Sequence, residues 1–506
     1  MARQVDQLAW YALHHPDEVA YVDLRSGHEL AFGEWWRRAS ALAGTLVTDG
    51  VQPGERVAIH LDGDHLLDWI VAYPAIHLAR AVAVPTNTRL TAPELAGILR
   101  HGEPKLVITS RSLADVVSSA RSTAAIDTTP AGYGVIAVDD HSWRQRLSAS
   151  PLVDAADPPP DTDGELADIM YTSGTTGLPK GIAVRHRNTH IIPNGSPEWS
   201  GDSWIHCSPL FTFAGMSFIY NPMKMGMRGL YLSRFEVEPW ITAVEQRRPT
   251  MAFLVPAMVQ LLLASPSFAT ADLDSLTLFS IGSAPLPPNL HLAVADRLPG
   301  ATVSNNYSMT EAGTAFTFMP PEELHRRPGS VGIPMGTTIR IVDEDGEDLP
   351  AGEVGEILIE VGESHREYYR DPDATAAAWS GDWLHSGDLG ELDADGYLYL
   401  RGRKKDVIIR GGNNIVATDV ESVLYLHPDV LEAAVVGFPH KVLGEDVAAF
   451  VVPRPGRSLD PEAVRSFCAP QLADYKVPRR VIVVDELPRN ATGKVLKAQL
   501  VVPADP

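Results

Sequence analysis

The stretch Tyr171-Thr172-Ser173-Gly174-Thr175-Thr176-Gly177-Leu178-Pro179-Lys180-Gly181 packs three glycines, four aliphatic hydroxyls and one lysine into eleven residues. Glycine lets a backbone turn tightly and come close to a ligand. Hydroxyls and exposed backbone N–H groups bind anions, and the lysine adds a mobile positive charge. The preceding Ala167-Asp168-Ile169-Met170 reads as a short strand feeding the loop. A glycine-rich loop after a strand is a phosphate-holding arrangement. It is not the common nucleoside-triphosphate loop, which has Gly directly before the Lys and Ser or Thr directly after it. Here Pro179 precedes Lys180 and Gly181 follows.

Upstream, short apolar runs alternate with amphipathic segments. Trp35, Trp36, Ala39, Leu42, Ala43 and Leu46 recur at helical spacing. His65 to Leu78 reads as helical, with Pro74 expected to kink or divide it. Val57 and Ile59 alternate as in a strand, and 81–84, 106–109 and 135–138 read as buried strands. Strands alternating with helices predict a mainly parallel α/β sheet. Residues 154–163, with three successive prolines, read as a linker. From Thr338 the pattern turns β-rich, with 338–342 and 357–361 as strands and Asp343-Glu344-Asp345-Gly346 as a turn. After Arg403 a third pattern begins, with strands at 407–409, 432–437, 447–452 and 480–484. Thr418-Asp419-Val420-Glu421 has capping-box spacing, and Asp460-Pro461 sets up another helix start.

The fold expected is therefore α/β. A large N-terminal domain, residues 1–402, has mainly parallel sheets flanked by helices and a β-rich subdomain at about 335–402. Residues 403–506 form a small C-terminal α+β domain. At 506 residues the chain exceeds one hydrophobic core. Its formal charge of −22, from 42 basic and 64 acidic residues, argues against nucleic-acid or anionic-membrane binding. Cys207 and Cys468 have no metal-ligand spacing, which disfavours a disulfide scaffold or zinc site. The start lacks a secretion-signal core, and the longest apolar run, Trp69 to Pro85, is broken by Pro74, His77 and Arg80. A cytoplasmic protein without an integral membrane segment is expected.

Four further clusters carry chemistry. In Asn305-Asn306-Tyr307-Ser308-Met309-Thr310-Glu311, Tyr307 offers a flat face for a purine, Thr310 a donor for phosphate oxygen, and Glu311 a hard oxygen ligand suited to Mg²⁺. Gly282-Ser283-Ala284 sits at a predicted strand end, where parallel sheets bind ligands. Asp388, between Gly387 and Leu389-Gly390, can accept hydrogen bonds from paired hydroxyls. Near the C-terminus, Lys494 follows Asn490-Ala491-Thr492-Gly493, just beyond an apolar stretch. Taken singly, each has an ordinary reading as a turn or solvated surface group.

Together they do not. The loop at 171–181, the Tyr307–Glu311 motif, Asp388, Arg401 to Ile415 and Lys494 occur in the order of the adenylate-forming superfamily, which the chain resembles. That superfamily includes acyl-CoA synthetases, aryl-CoA ligases, adenylation domains and luciferases. Ser308 stands where relatives usually have glycine. The resemblance implies ATP, Mg²⁺ and coenzyme A as reactants and cofactor. It implies nucleotide contacts from Thr172, Ser173, Gly174, Thr175, Thr176, Gly177, Lys180, Gly282, Ser283, Ala284, Asn305, Asn306, Tyr307, Asp388 and Arg403. Thr310, Glu311 and Lys494 would be catalytic, with Glu311 holding the metal. Lys405 would be the hinge of a mobile C-terminal domain, and Gly411 and Gly412 would border the pantetheine channel.

The same resemblance implies an acid pocket from Phe211, Thr212, Phe213, Met216, Gly282, Ser308 and Gly313. Thr212 replaces a histidine common in acyl-CoA synthetases. Amino-acid-activating relatives carry an aspartate near here, and none occurs from Ser208 to Phe218. An unpaired ammonium in an apolar pocket is costly. A hydrophobic acid without an α-amino group is therefore expected, whether fatty, alicyclic or aromatic. Coenzyme A is the expected acceptor, a carrier protein or a nitrogen nucleophile the alternatives, and a non-catalytic nucleotide-binding protein the least favoured. A homodimer is one open oligomeric state.

Overall fold

The structure, a computed structural model, describes residues 3–124, 134–141, 143, 147, 164–172, 180–189, 192–313, 315–362, 365–489 and 495–503. The expected 154–163 linker, Ser173, Gly174, Thr175, Thr176, Gly177 and Lys494 lie outside the described residues.

Two seven-stranded sheets form the body. The first runs in the order Thr302–Asn306, Leu278–Gly282, Met251–Leu254, Ser203–His206, Arg228–Tyr231, Val19–Asp23 and Glu29–Ala31. Its neighbours are parallel except the last pair. The second runs Glu367–Tyr368, Lys180–Arg185, Leu166–Thr172, Val82–Pro85, Arg56–His60, Leu106–Thr109 and Gly134–Ala137. Its last five strands are parallel, and Lys180–Arg185 and Glu367–Tyr368 add antiparallel at one edge. Strands such as Val82–Pro85 are buried throughout, as expected where both sheet faces are covered.

Helices Phe32–Thr48, Leu66–Leu78 and Phe213–Lys224 contribute Trp35, Trp69, Tyr73 and Tyr220 to one core shared with strands of both sheets. Leu66–Leu78 is a single helix that runs through Pro74, so the expected division does not occur. A proline removes the N–H that would bond the carbonyl four residues back. Here that carbonyl, on Ile70, accepts instead from Trp35 Nε1 at 2.9 Å. Pro222, inside Phe213–Lys224, repeats the arrangement, since the Phe218 carbonyl accepts from the Tyr21 hydroxyl at 3.3 Å.

A third, largely antiparallel sheet orders Phe316–Phe318, Ser330–Met335, Leu398–Arg403, Trp383–Leu392, Gly355–Glu360 and Ile339–Val342. The Asp343–Gly346 turn forms as expected, with Gly346 N–H donating to the Asp343 carbonyl at 3.3 Å. Beyond it, strands Val407–Arg410, Asn413–Val416, Val430–His440, Gly444–Pro453 and Arg480–Val483 form a separate sheet. With helices Ala417–Leu424 and Pro461–Cys468 they enclose their own core around Ile408, Val420, Val435, Val447 and Val464.

The capping box at Thr418 is not formed. The helix begins at Ala417 with Val416 as its cap residue. Thr418 Oγ1 donates instead to the Arg401 carbonyl, and Glu421 Oε1 accepts from Val435 N–H at 2.8 Å. Tertiary partners have taken both side chains. At Asp460 the expected cap holds, with its carboxylate accepting from Glu462 N–H at 3.3 Å. Among the described residues no helix is long and apolar enough to cross a membrane, and both cysteines are free and buried.

Candidate active site

The loop of Tyr171–Gly181 joins two strands paired directly to each other. Leu166–Thr172 and Lys180–Arg185 are antiparallel, and Thr172 stands opposite Lys180. Lys180 is thereby fixed at the loop mouth. The edge strand Glu367–Tyr368 pairs next to it, with Tyr368 opposite Ile182. The Lys180 ammonium lies over the Tyr368 ring, 5.0 Å from its centroid. The Tyr368 hydroxyl is hydrogen-bonded to Glu311, and burial together with that carboxylate pushes the phenol up to about 12. Tyr368 thus bridges the loop lysine and the carboxylate expected to hold metal. Nothing in the sequence singled out Tyr368, because only the third-sheet topology folds it back onto Lys180–Arg185.

A second cluster gathers around Asp388. Strands Leu278–Gly282 and Thr302–Asn306 run parallel with Gly282 beside Asn306, so both expected ligand-binding segments emerge at one sheet end. Next in the chain, Tyr307 is 8% exposed, and its hydroxyl donates to Asp388 Oδ2 at 2.8 Å. Burial first, and then the Asp388 carboxylate, raise the Tyr307 phenol well above its usual value, so it stays a donor. Asp388 and Arg403 face each other across strands Trp383–Leu392 and Leu398–Arg403. Arg403 Nε lies 3.2 Å from Asp388 Oδ1. The ammonium of the adjacent Lys404 pairs with Glu356 at 3.1 Å.

In the segment expected to line the acid pocket, Thr212 caps helix Phe213–Lys224. Its hydroxyl accepts from Gly215 N–H at 3.0 Å and donates to the Pro209 carbonyl at 2.8 Å. At this position, where the resemblance leads to the expectation of a histidine, the Thr212 hydroxyl is occupied with its own backbone. Gly215 is obligatory, because a Cβ there would lie 2.0 Å from the Pro209 oxygen. Met216 is buried. Phe218 and Phe253 are 4.9 Å apart, and a Cβ on Gly282 would come within 3.5 Å of the Phe253 ring. Next to Gly282, Ser283 adopts φ +68°, a conformation L side chains rarely take.

Between these clusters sits Arg366, 2% exposed. It donates to the Thr310 carbonyl at 2.5 Å and to the Asn188 carbonyl. Its guanidinium carbon lies 4.5 Å from the centroid of the Phe213 ring. Gly313, at φ +64°, leaves room for it, since a Cβ there would be 3.2 Å from its Nε. Burial lowers the guanidinium to about 10, with Asp168 and Glu311 opposing the shift, so it is charged at neutral pH. Asp168 is itself held by the Tyr73 hydroxyl at 3.0 Å and by His77 at 3.1 Å.

Two contact groups result: Lys180, Tyr368 and Glu311 with Arg366, Thr310 and Phe213, and, separately, Tyr307, Asp388 and Arg403, the two joined along the chain by the Tyr307–Glu311 motif. Other expected residues stand apart. Asn305 is buried, Asn306 Oδ1 accepts from Ser304 Oγ at 2.6 Å, and Ser308 bridges Phe316. Gly411 and Gly412 turn between Val407–Arg410 and Asn413–Val416, and Gly411 N–H donates to the Leu443 carbonyl at 2.8 Å.

Parallel strand ends such as those at Gly282 and Asn306 are where α/β proteins bind ligands. Residues 8–369 match the model of the AMP-binding enzyme family, and residues 419–494 match the AMP-binding enzyme C-terminal domain. The chain belongs to the AMP-binding enzymes. It is 35% identical over 483 residues to a feruloyl-CoA synthase of Amycolatopsis sp, covering 94% of each sequence. To the fatty acid–[acyl-carrier-protein] ligase ScoC of Streptomyces coeruleorubidus it is 31% identical over 514 residues, covering 98% of this chain and 95% of that one. The crystal structure of the anthranilate CoA ligase AuaEII with anthranoyl-AMP superposes with TM-score 0.86 at 26% identity, covering 98% and 96% of the two chains.

Proposed function

We propose that the protein is an ATP-dependent acid–CoA ligase acting on a hydrophobic carboxylic acid without an α-amino group. The observation that carries this reading is that one short motif, Tyr307–Glu311, roots both contact groups: Tyr307 with Asp388 and Arg403, and Glu311 with Tyr368 beneath Lys180, while Arg366 joins Thr310 to the apolar segment at Phe213. One group suits a polyphosphate, the next a ribose, the third a carboxylic acid.

In the first step a carboxylate oxygen of the acid bonds to the α-phosphorus of ATP, and the bond to pyrophosphate breaks. A carboxylate is a poor electrophile, and the mixed anhydride gives its carbon a leaving group. Lys180 and the loop hydroxyls hold the departing pyrophosphate. Thr310 donates to phosphate oxygen, and Asp388, oriented by Tyr307 and Arg403, accepts from the ribose hydroxyls. Lys494 brings its ammonium between the acid oxygen and the α-phosphate, countering charge as it builds. Mg²⁺, when bound, supplies further neutralisation on the phosphates, and Glu311, a hard oxygen donor near the loop lysine, fits as its protein ligand. In the second step the sulfur of coenzyme A bonds to the acyl carbon, the carbon–oxygen bond to AMP breaks, and AMP leaves. Residues 403–506 form the domain that rotates about Lys405 between steps, with Gly411 and Gly412 beside the thiol arm.

Similarity to feruloyl-CoA synthase and to anthranilate CoA ligase supports coenzyme A as acceptor. Similarity to ScoC supports a second reading, in which a carrier protein takes the acyl group. A pyrophosphate-release screen over fatty, alicyclic and aromatic acids, with and without coenzyme A and with thioester followed by mass, tests both. Acid-dependent AMP and acyl-CoA are expected. Adenylate formation with no acyl-CoA moves the assignment to a carrier protein or nitrogen acceptor, and no AMP with any acid ends the ligase reading.

A further inference from the structure

Arg366 belongs to none of the motifs that define the site, yet it touches two of them. A fully buried arginine is rare unless paired and hydrogen-bonded. Here its two terminal nitrogens donate to backbone carbonyls far apart in the chain, Asn188 beyond the phosphate-loop hairpin and Thr310 in the nucleotide loop. The guanidinium plane covers Phe213 at the start of the acid-pocket helix. Opposite, Gly313 provides space that any side chain would fill. Glu311, adjacent to Thr310, is one of its two charge partners.

We propose that Arg366 is a positioning residue for adenylate formation. By holding the Thr310 carbonyl it sets the orientation of Thr310 and Glu311 toward the phosphates, and by covering Phe213 it registers the acid pocket against them. One side chain thus fixes the two reactants relative to each other. A planar fork suits this task, because each arm meets one carbonyl while the face stacks on a ring. A lysine would reach one carbonyl alone. This inference rests on the ligase reading for its kinetic consequence but not for its structural one.

The test uses the full-length protein with Arg366→Met and Arg366→Lys. Hydrogen exchange without substrates reads the positioning directly, and faster exchange across Met309–Gly313 is expected in Arg366→Met. Acid-dependent ATP–pyrophosphate exchange should fall on the order of 10²-fold in kcat, as for a reactant misplaced by about 1 Å. Thioester formation from pre-made acyl-adenylate and coenzyme A should change far less. Arg366→Lys should recover part of the exchange rate while leaving the acid KM raised. Unaltered amide exchange at Met309–Gly313 in either folded variant overturns the proposal, as does an equal fall of both half-reactions. If wild-type protein makes no AMP, the ligase reading fails, while the amide-exchange result still decides the role of Arg366. Should Arg366→Met not fold, Arg366→Lys carries the same comparison.

Discussion

The Tyr307 hydroxyl donates to Asp388 Oδ2 at 2.8 Å, joining residues 81 positions apart. With Arg403 on the other carboxylate oxygen, Asp388 is held from both sides before any ligand arrives. Orienting an acceptor in advance lowers the ordering cost of binding. Tyr307→Phe keeps the ring and removes one donor to a charged acceptor, worth about 1.5–3 kcal/mol. The expected outcome is a KM for ATP raised roughly tenfold with little change in the KM for acid, measured by pyrophosphate release.

Thr212 caps its helix with the hydroxyl that both accepts from Gly215 and donates to Pro209. Thr212→Val should cost about 1 kcal/mol of stability. Thr212→Ser should keep the wild-type melting temperature. If Thr212 also borders the acid, Thr212→Leu will reorder acid preference, and a change confined to ATP affinity would remove it from the pocket.

Lys494→Ala should abolish adenylate formation and spare thioester formation from pre-made acyl-adenylate. The two half-reactions assayed separately give the answer. Equal loss in both would assign Lys494 another role.

Lys405→Pro restricts the backbone at the proposed hinge. Adenylate formation should persist while thioester production stalls, measured by single-turnover mass analysis. Unchanged thioester production counts against the hinge.

Several buried histidines make acid stability predictable. Burial lowers His206 to about 3, and His60 and His291 to about 4, against an ordinary value of 6.5. Above pH 6.5 both the folded and unfolded forms are neutral, and this stability is intact. As pH falls below 6.5, the unfolded chain gains protons that the folded protein refuses until about pH 4 to 3. Stability should drop by on the order of 1 kcal/mol per pH unit for each such group. Thermal unfolding from pH 7 to 5 should show a shallower slope in His206→Gln than in wild type.

The parallel sheets and the strand that leads into the 171–181 stretch were legible because their signals are local: apolar runs and strand ends. What escaped was set by distant partners. Pro74 reads as a helix break because a sequence window cannot see Trp35 supplying the missing donor. Thr418 reads as a cap because its true acceptor, the Arg401 carbonyl, is brought near only by the domain junction. Arg366 and Tyr368 lie in a segment with no periodicity, and reach Thr310 and Lys180 through an edge strand that forms only once the third sheet is built. The Thr212 position was visible, but not that its hydroxyl turns back onto its own chain.

Two ion pairs moor the chain immediately before Lys405, the proposed hinge. Arg403 is tied to Asp388 and Lys404 to Glu356, both on the N-terminal body. The Lys405 side chain pairs with no described residue. If the residues beyond Lys405 pivot as proposed, both pairs stay with the N-terminal body, and the nucleotide's grip and the lobe's travel would be mechanically uncoupled.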